Sequence, residues 1–301
     1  VNCPFGAISD KSQIFQLIQA IKRGDKVVAA VAPAFVSQFG ENVTSSQMRE
    51  AMRQVGFHKV IEVAVGADMC TAEEAEDFLK KVPEQQPFMA TSCCPSWSVM
   101  AKKLFPQFKD YISMAMTPMV LTARLYKKDH PDVRIVFIGP CTAKKLEASR
   151  RTIRSDVDFV LTFEEMQGIF DAKGIVPSEM PYDPDDEFST GTSLGRGFAV
   201  TGGVADAVKK AIAEIDPERE VLVEHADGLR ECRKMLMMAK AGKYNGYLLE
   251  GMGCPGGCVA GAGTITPVKK STAAVTRYVN EAKVKSVQES AAVKRLREVQ
   301  D

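Results

Sequence analysis

Histidine and tryptophan are nearly missing from these 301 residues, with three of the former and one of the latter. His58, His130 and His225 stand far apart, which argues against a multi-histidine metal site and leaves no Ser–His–Asp or Cys–His catalytic set. Neither sign of charge is in excess: 39 Lys and Arg balance 38 Asp and Glu. No overall field therefore draws the chain to nucleic acid or to an anionic membrane surface. Long apolar runs are lacking as well. The longest, 27–36, is ten residues, about half a membrane span. No secretory or transit peptide is visible and a cytoplasmic location is expected, but the chain opens at Val1 without Met and its first residues read as the end of something longer, so a missing leader carries little weight. What remains is a globular composition, 45% apolar and 26% charged, at a length that favours two lobes or one large α/β unit.

Cysteine is present in an informative way. Eight thiols, Cys3, Cys70, Cys93, Cys94, Cys141, Cys232, Cys254 and Cys258, are too sparse for a disulfide scaffold, and a core of this size needs none. Five of them adjoin Pro or Gly: Cys3-Pro4, Cys94-Pro95, Pro140-Cys141, Gly253-Cys254-Pro255 and Gly257-Cys258. A thiol that only fills a core has no reason to choose such neighbours, whereas a thiolate ligand on a turn does.

Hydrophobic period and breaker residues predict alternating helices and strands. Helices are expected over 12–23, 45–55, 71–82 with Thr71 as N-cap, 95–104, from Pro118, from Ala143, 163–172, 203–215, 227–241 and from Thr272 to the end. Strands are expected over 26–31, 58–65, 87–90, 133–138, 157–161, 221–224 and 246–249, and a polar loop over 177–196. The fold class is α/β: two lobes of mostly parallel sheet flanked by helices, with a metal cluster in the crevice between them. The expected division is a tail at 1–9, a main unit at 10–270 that splits near 130–160, and a charged C-terminal helix at 271–301. Three cysteine groups, 93–94, 141 and 254–258, each follow a predicted strand, on the edge of a parallel sheet where ligands bind.

Structural zinc favours local pairs of ligands, but here single thiols come from distant strands. Scattered thiolates at strand ends suit an iron–sulfur cluster, and Gly253, Gly256 and Gly257 would let backbone approach it. Cys70 and Cys232 read as core residues.

Three segments carry a resemblance. Thr91-Ser92-Cys93-Cys94-Pro95-Ser96-Trp97, Gly139-Pro140-Cys141-Thr142-Ala143-Lys144-Lys145-Leu146-Glu147 and Glu250-Gly251-Met252-Gly253-Cys254-Pro255-Gly256-Gly257-Cys258 resemble the signature motifs of the FeFe (iron-only) hydrogenase catalytic domain, in the family's order. Val31-Ala32-Pro33-Ala34 and Phe198-Ala199-Val200-Thr201-Gly202-Gly203-Val204 support the match, which runs from about residue 10 to about 270. The resemblance implies an H-cluster: a 4Fe-4S cubane bridged by a cysteine sulfur to a two-iron subcluster carrying CO, CN and a bridging dithiolate. By motif position Cys94, Cys141, Cys254 and Cys258 would bind the cubane, and Cys258 would bridge to the two-iron unit. Ala32, Pro33, Gly139, Pro140, Lys144 and Met252 would line that cofactor, with Lys144 hydrogen-bonding a cyanide and Met252 packed near the bridging carbon monoxide. Cys93 would pass protons, and the path to the surface would use Ser113 with Glu74 and Asp77, or Glu73 and Glu76 one residue earlier.

The implied activity is reversible oxidation of molecular hydrogen to protons and electrons. Electrons would pass to clusters of a missing N-terminal region or to a ferredoxin; Val1-Asn2-Cys3-Pro4 looks like the end of a ferredoxin motif. Three positions depart from turnover enzymes: Gly139 stands where they carry methionine, Ala34 where serine is usual, and Met119 where glutamine is. These resemble the sensory branch, which implies slow turnover, a signalling partner and an empty volume beside Gly139; retention of Cys93 differs from sensory members that replace it. The alternative is a cubane-only relative acting in iron–sulfur assembly or as a scaffold. Neither a nucleic acid nor a membrane partner is expected.

Overall fold

The computed structural model describes residues 10–183 and 191–300, so Cys3 and the tail expected at 1–9 lie outside the described residues. In chain order the elements are α1 (Ile14–Lys22), β1 (Val27–Val31), α2 (Ser45–Val55), β2 (Lys59–Glu62), α3 (Ala64–Lys81), β3 (Met89–Ala90), α4 (Pro95–Leu104), α5 (Pro118–Asp129) and β4 (Arg134–Gly139). They continue with α6 (Ala143–Ala148), β5 (Phe159–Thr162), α7 (Phe163–Lys173), α8 (Ser193–Gly197), α9 (Gly203–Ile215), β6 (Leu222–Asp227), α10 (Leu229–Lys240), β7 (Tyr247–Met252), α11 (Val268–Glu281) and α12 (Ala291–Gln300).

Two parallel sheets result, one ordered β2-β1-β4-β5 and the other β3-β7-β6. β1 is central in the first sheet and all five of its residues, Val-Val-Ala-Ala-Val, are buried, as a strand covered on both faces requires. Two helices start on capping boxes, Thr44 with Gln47 and Thr162 with Glu165, and each ends on a left-handed glycine, Gly56 and Gly174. Each Thr cap contributes about 1 kcal/mol.

Several sequence expectations need correction. The strands do not part at a single point near 130–160: β3 belongs to the second sheet, whereas β4 and β5, later in the chain, return to the first. β2 stops at Glu62, and α3 starts at Ala64 rather than at Thr71. Thr71 lies in mid-helix, its hydroxyl donating to Ala67 O at 2.8 Å. Gly66 is the crossing point with α5: a Cβ there would collide with Pro118 O and the Thr122 hydroxyl. The segment 177–196 is not all loop, since Thr192 caps α8. The expected single C-terminal helix is two, interrupted at 282–290, where Ala282, Val287 and Ser290 are buried and tie the chain down.

Candidate metal centre

Parallel strands deliver their C-terminal ends to one place. In the second sheet Ala90 pairs with Leu249, Thr91 N donates to Leu249 O at 2.9 Å, and residues 91–94 and 252–254 emerge side by side. In the first sheet Val31 pairs with Ile138, so Ala32-Pro33-Ala34 and Pro140-Cys141 emerge together. One cavity is lined by all four ends, with Ala32, Pro33, Ala34 and Cys141 on one side and Cys93, Cys94, Met252 and Cys254 on the other. Cys258, opening a 3-10 turn, and Pro140 complete the ring.

All five thiols are free. Burial, with the neighbouring sulfurs of Cys141 and Cys94 adding to it, pushes the Cys258 thiol far up and raises Cys254 to about 11. Cys141 is raised too, by burial, with Lys144 opposing. Ionising these thiols in an apolar pocket costs free energy unless something positive neutralises the thiolates. Among the described residues, no three His, Cys, Asp or Glu side chains are grouped closely enough to hold one metal ion. A tetrahedral zinc site would bring its sulfurs to about 3.8 Å from one another. The thiols that line the cavity come singly from separate strand ends, a donor set that suits a cage of several metal atoms.

Cys70 and Cys232 are core residues, as expected: neither lines the cavity, and the Cys232 thiol donates to Ala226 O at 3.3 Å and Met252 O at 3.4 Å. The expectation that the glycines make room for the cofactor is only partly met. Gly257, at φ +90°, packs on backbone, a Cβ there falling 2.6 Å from Thr201 N. A Cβ on Gly253 would fall 2.7 Å from Ser96 Cβ. Its N–H nevertheless donates to Cys94 Sγ at 3.3 Å.

Cys93 is buried, and burial with the nearby Glu74 raises its thiol far above the usual range. Glu74 sits behind it on α3, wholly buried, with Oε1 accepting from Ser92 N at 3.2 Å. Burial lifts Glu74 to about 7, against hydrogen bonds from Ser92 and Ser113. Asp77, one turn on, is partly exposed and pairs with Lys81 at 2.7 Å. Of the alternatives one residue earlier, Glu76 is half-buried and pairs with Arg297 at 3.4 Å. The buried member of the set is Glu74.

Lys144 enters the cavity wall with its ammonium on Glu147 Oε2 at 2.7 Å and Cys93 O at 3.2 Å. Burial would depress this ammonium, but Glu147 outweighs it and holds its proton more firmly than usual. Removing Glu147 would leave a buried charge uncompensated, at a cost of about 3–5 kcal/mol. The neighbour of Lys144, Lys145, pairs with Glu165 at 2.9 Å and Asp10 at 2.6 Å.

Sequence reading missed three residues here. Glu147 also accepts from Thr117 Oγ1 at 2.9 Å; its i,i+3 spacing from Lys144 was the available signal. Glu250, buried in β7, takes Gly202 N and Ala205 N at 2.7 Å each and so caps α9. Phe137 lines the cavity, and the empty volume expected beside Gly139 does not exist: a Cβ at 139 would lie 2.5 Å from the Phe137 ring.

Comparison with known proteins gives the family and the fold. Residues 25–262 match the family model described as the C-terminal domain of the iron only hydrogenase large subunit. Iron hydrogenase 1 of Clostridium pasteurianum is 29% identical over 86% of this chain and 54% of its own length. The chain thus spans about half of that relative. Cytosolic iron-sulfur assembly component 3 of Rattus norvegicus is 27% identical over 79% of this chain and 60% of its own. Among solved structures, an apo FeFe-hydrogenase from Chlamydomonas reinhardtii superposes with a TM-score of 0.78 at 23% identity, covering 96% of this chain and 94% of that one. At that identity the likeness is one of fold.

Proposed function

The chain belongs to the iron-only hydrogenase family, by its match to the C-terminal domain of the large chain of those enzymes, and from that premise we propose that it interconverts molecular hydrogen with protons and electrons at an H-cluster. The observation that carries the reading is the convergence of Cys94, Cys141, Cys254 and Cys258 with Cys93, Lys144 and Met252 on one cavity. The four cysteines would hold a 4Fe-4S cubane, and Cys258 would also join it to a two-iron unit bearing carbon monoxide, cyanide and a dithiolate. When bound, this group supplies the metal site where hydrogen is split or formed and stores the electrons.

The chain's own residues do the rest. Lys144, held by Glu147, offers an ammonium to an anionic diatomic ligand. Met252, Ala32, Pro33 and Pro140 keep water out of the reaction space. With that group bound, Cys93 would be the thiol that carries the proton and Glu74 the carboxyl behind it, its value near 7 being matched to carrying protons at neutral pH. Ser113 lies beside Glu74, and Asp77 with Lys81 reaches solvent. Electrons would leave toward iron–sulfur clusters of an N-terminal region or a ferredoxin. No helix among the described residues is long and apolar enough to cross a membrane, and a cytoplasmic location belongs to the same proposal. A slow, hydrogen-sensing role is the finer reading of Gly139, Ala34 and Met119.

A second reading is favoured by the assembly-factor relative: a cubane-only protein serving iron–sulfur assembly. Cys93, Lys144 and Met252 have no task in that case, and their presence in the cavity wall favours the first reading. Anaerobic reconstitution with ferrous iron and sulfide tests the shared part of both. About four iron ions per chain are expected, with loss of cluster absorbance in Cys141→Ser and none in Cys232→Ser. Undiminished iron in Cys141→Ser would overturn the ligand assignment.

A further inference from the structure

Phe137 belongs to none of the cysteine motifs, yet its side chain forms part of the cavity wall, while Gly139 does not reach the cavity. Both lie on β4, two residues apart, and therefore on the same face of the sheet. A Cβ placed on Gly139 would stand 2.5 Å from Phe137 Cε1, 2.6 Å from Cζ and 3.2 Å from Ala32 Cβ. Ordinary carbon contacts begin near 3.5 Å, so the ring already fills the space that a side chain at 139 would need. The glycine is not explained by the turn, because its backbone is not among the positive-φ residues. Ala32, whose Cβ borders the same space, is nearly fully buried, lines the cavity and is small enough to leave the ring room.

We propose that Phe137 is a specificity-determining residue of this site: admitted by Gly139 and Ala32, its ring builds the stretch of wall that a side chain at 139 would otherwise build, and it limits which diatomic gases fit against that wall. A phenyl ring buried to 4% exposure cannot swing aside as a thioether chain does, so the wall is stiff where a methionine would yield. The gas-binding part rests on the hydrogenase reading; the mutual exclusion of the two side chains does not.

Two measurements separate these parts. In the cofactor-free chain, Gly139→Met should lower the melting temperature by roughly 4–10 °C through overpacking. Phe137→Ala should lower it by leaving a cavity. In the Phe137→Ala background the same Gly139→Met change should raise it, because the new side chain enters the vacated space. A loss of similar size in both backgrounds would overturn the proposal. In the cofactor-loaded enzyme, Phe137→Ala should be inhibited by carbon monoxide at roughly tenfold lower concentration, the factor given by about 1.4 kcal/mol. Unchanged inhibition by carbon monoxide would overturn the specificity role. Cofactor-loaded protein that neither evolves nor consumes hydrogen would overturn the hydrogenase reading, and the sign reversal in the cofactor-free chain would still decide whether ring and side chain exclude each other.

Discussion

Cys93 and Cys94 are neighbours with opposite demands. Cys94 sits at the N-cap of α4, with Pro95 in the first turn, and its sulfur receives Gly253 N–H, an arrangement suited to a thiolate ligand. Cys93 is buried with the carboxyl of Glu74 behind it, a group placed to exchange a proton with it. Cys93→Ala is therefore expected to keep its full complement of iron while losing roughly 100-fold or more of its hydrogen turnover, the range typical of a lost general acid–base group. Hydrogen uptake assays on reconstituted protein would check this, and full activity would send the protons by another route. These thiols, with Lys144 and Met252, were legible because their neighbours in sequence mark them. Glu147 and Phe137 were not. The partner of the first, Thr117, is 30 residues away, and the second matters only because a residue two positions on lacks a side chain.

Helix α3 shows why burial hides an element from sequence. It packs against α5, α8, α9 and α12, and eleven of its eighteen residues are buried. With so little solvent-facing surface no polar stripe marks its first two turns, and Gly66 and Asp68 read as non-helical. Asp68 is accounted for only across long separations: it accepts from Thr192 N at 3.0 Å and from Ser290 Oγ at 3.2 Å. Nearby, Glu62 accepts from Arg196 Nε at 3.2 Å and Tyr278 OH at 2.7 Å. These two carboxylates bind α8 and the C-terminal helices to the first half of the chain, which is why the break at 282–290 is invisible locally. Burial raises Asp68 from 3.8 to about 7. The folded state then holds this proton more tightly than the unfolded chain, so its contribution to stability falls as pH rises from about 4 to 7. Glu74 acts in the same window and direction. Asp68→Asn should make the fall in melting temperature between pH 5 and pH 8 shallower. An unchanged slope would show that Asp68 does not titrate in this range.

The two parallel sheets were legible from the alternation of strands and helices, and so was the place of the site, since ligands gather at the carboxyl ends of such strands. How the chain divides between the sheets was not. β3 is only two residues long and joins β7, more than 150 residues later, through contacts that no local pattern encodes. That long-range pairing sets Cys93 and Cys94 beside Met252 and Cys254, facing Cys141 of the other sheet, and the whole functional reading depends on it. Infrared spectroscopy of the cubane-loaded chain after anaerobic incubation with a synthetic two-iron complex tests it most directly. Sharp carbon monoxide and cyanide bands that change under hydrogen are the expected result, and a cubane-loaded protein that shows no such bands would contradict a hydrogen-converting site.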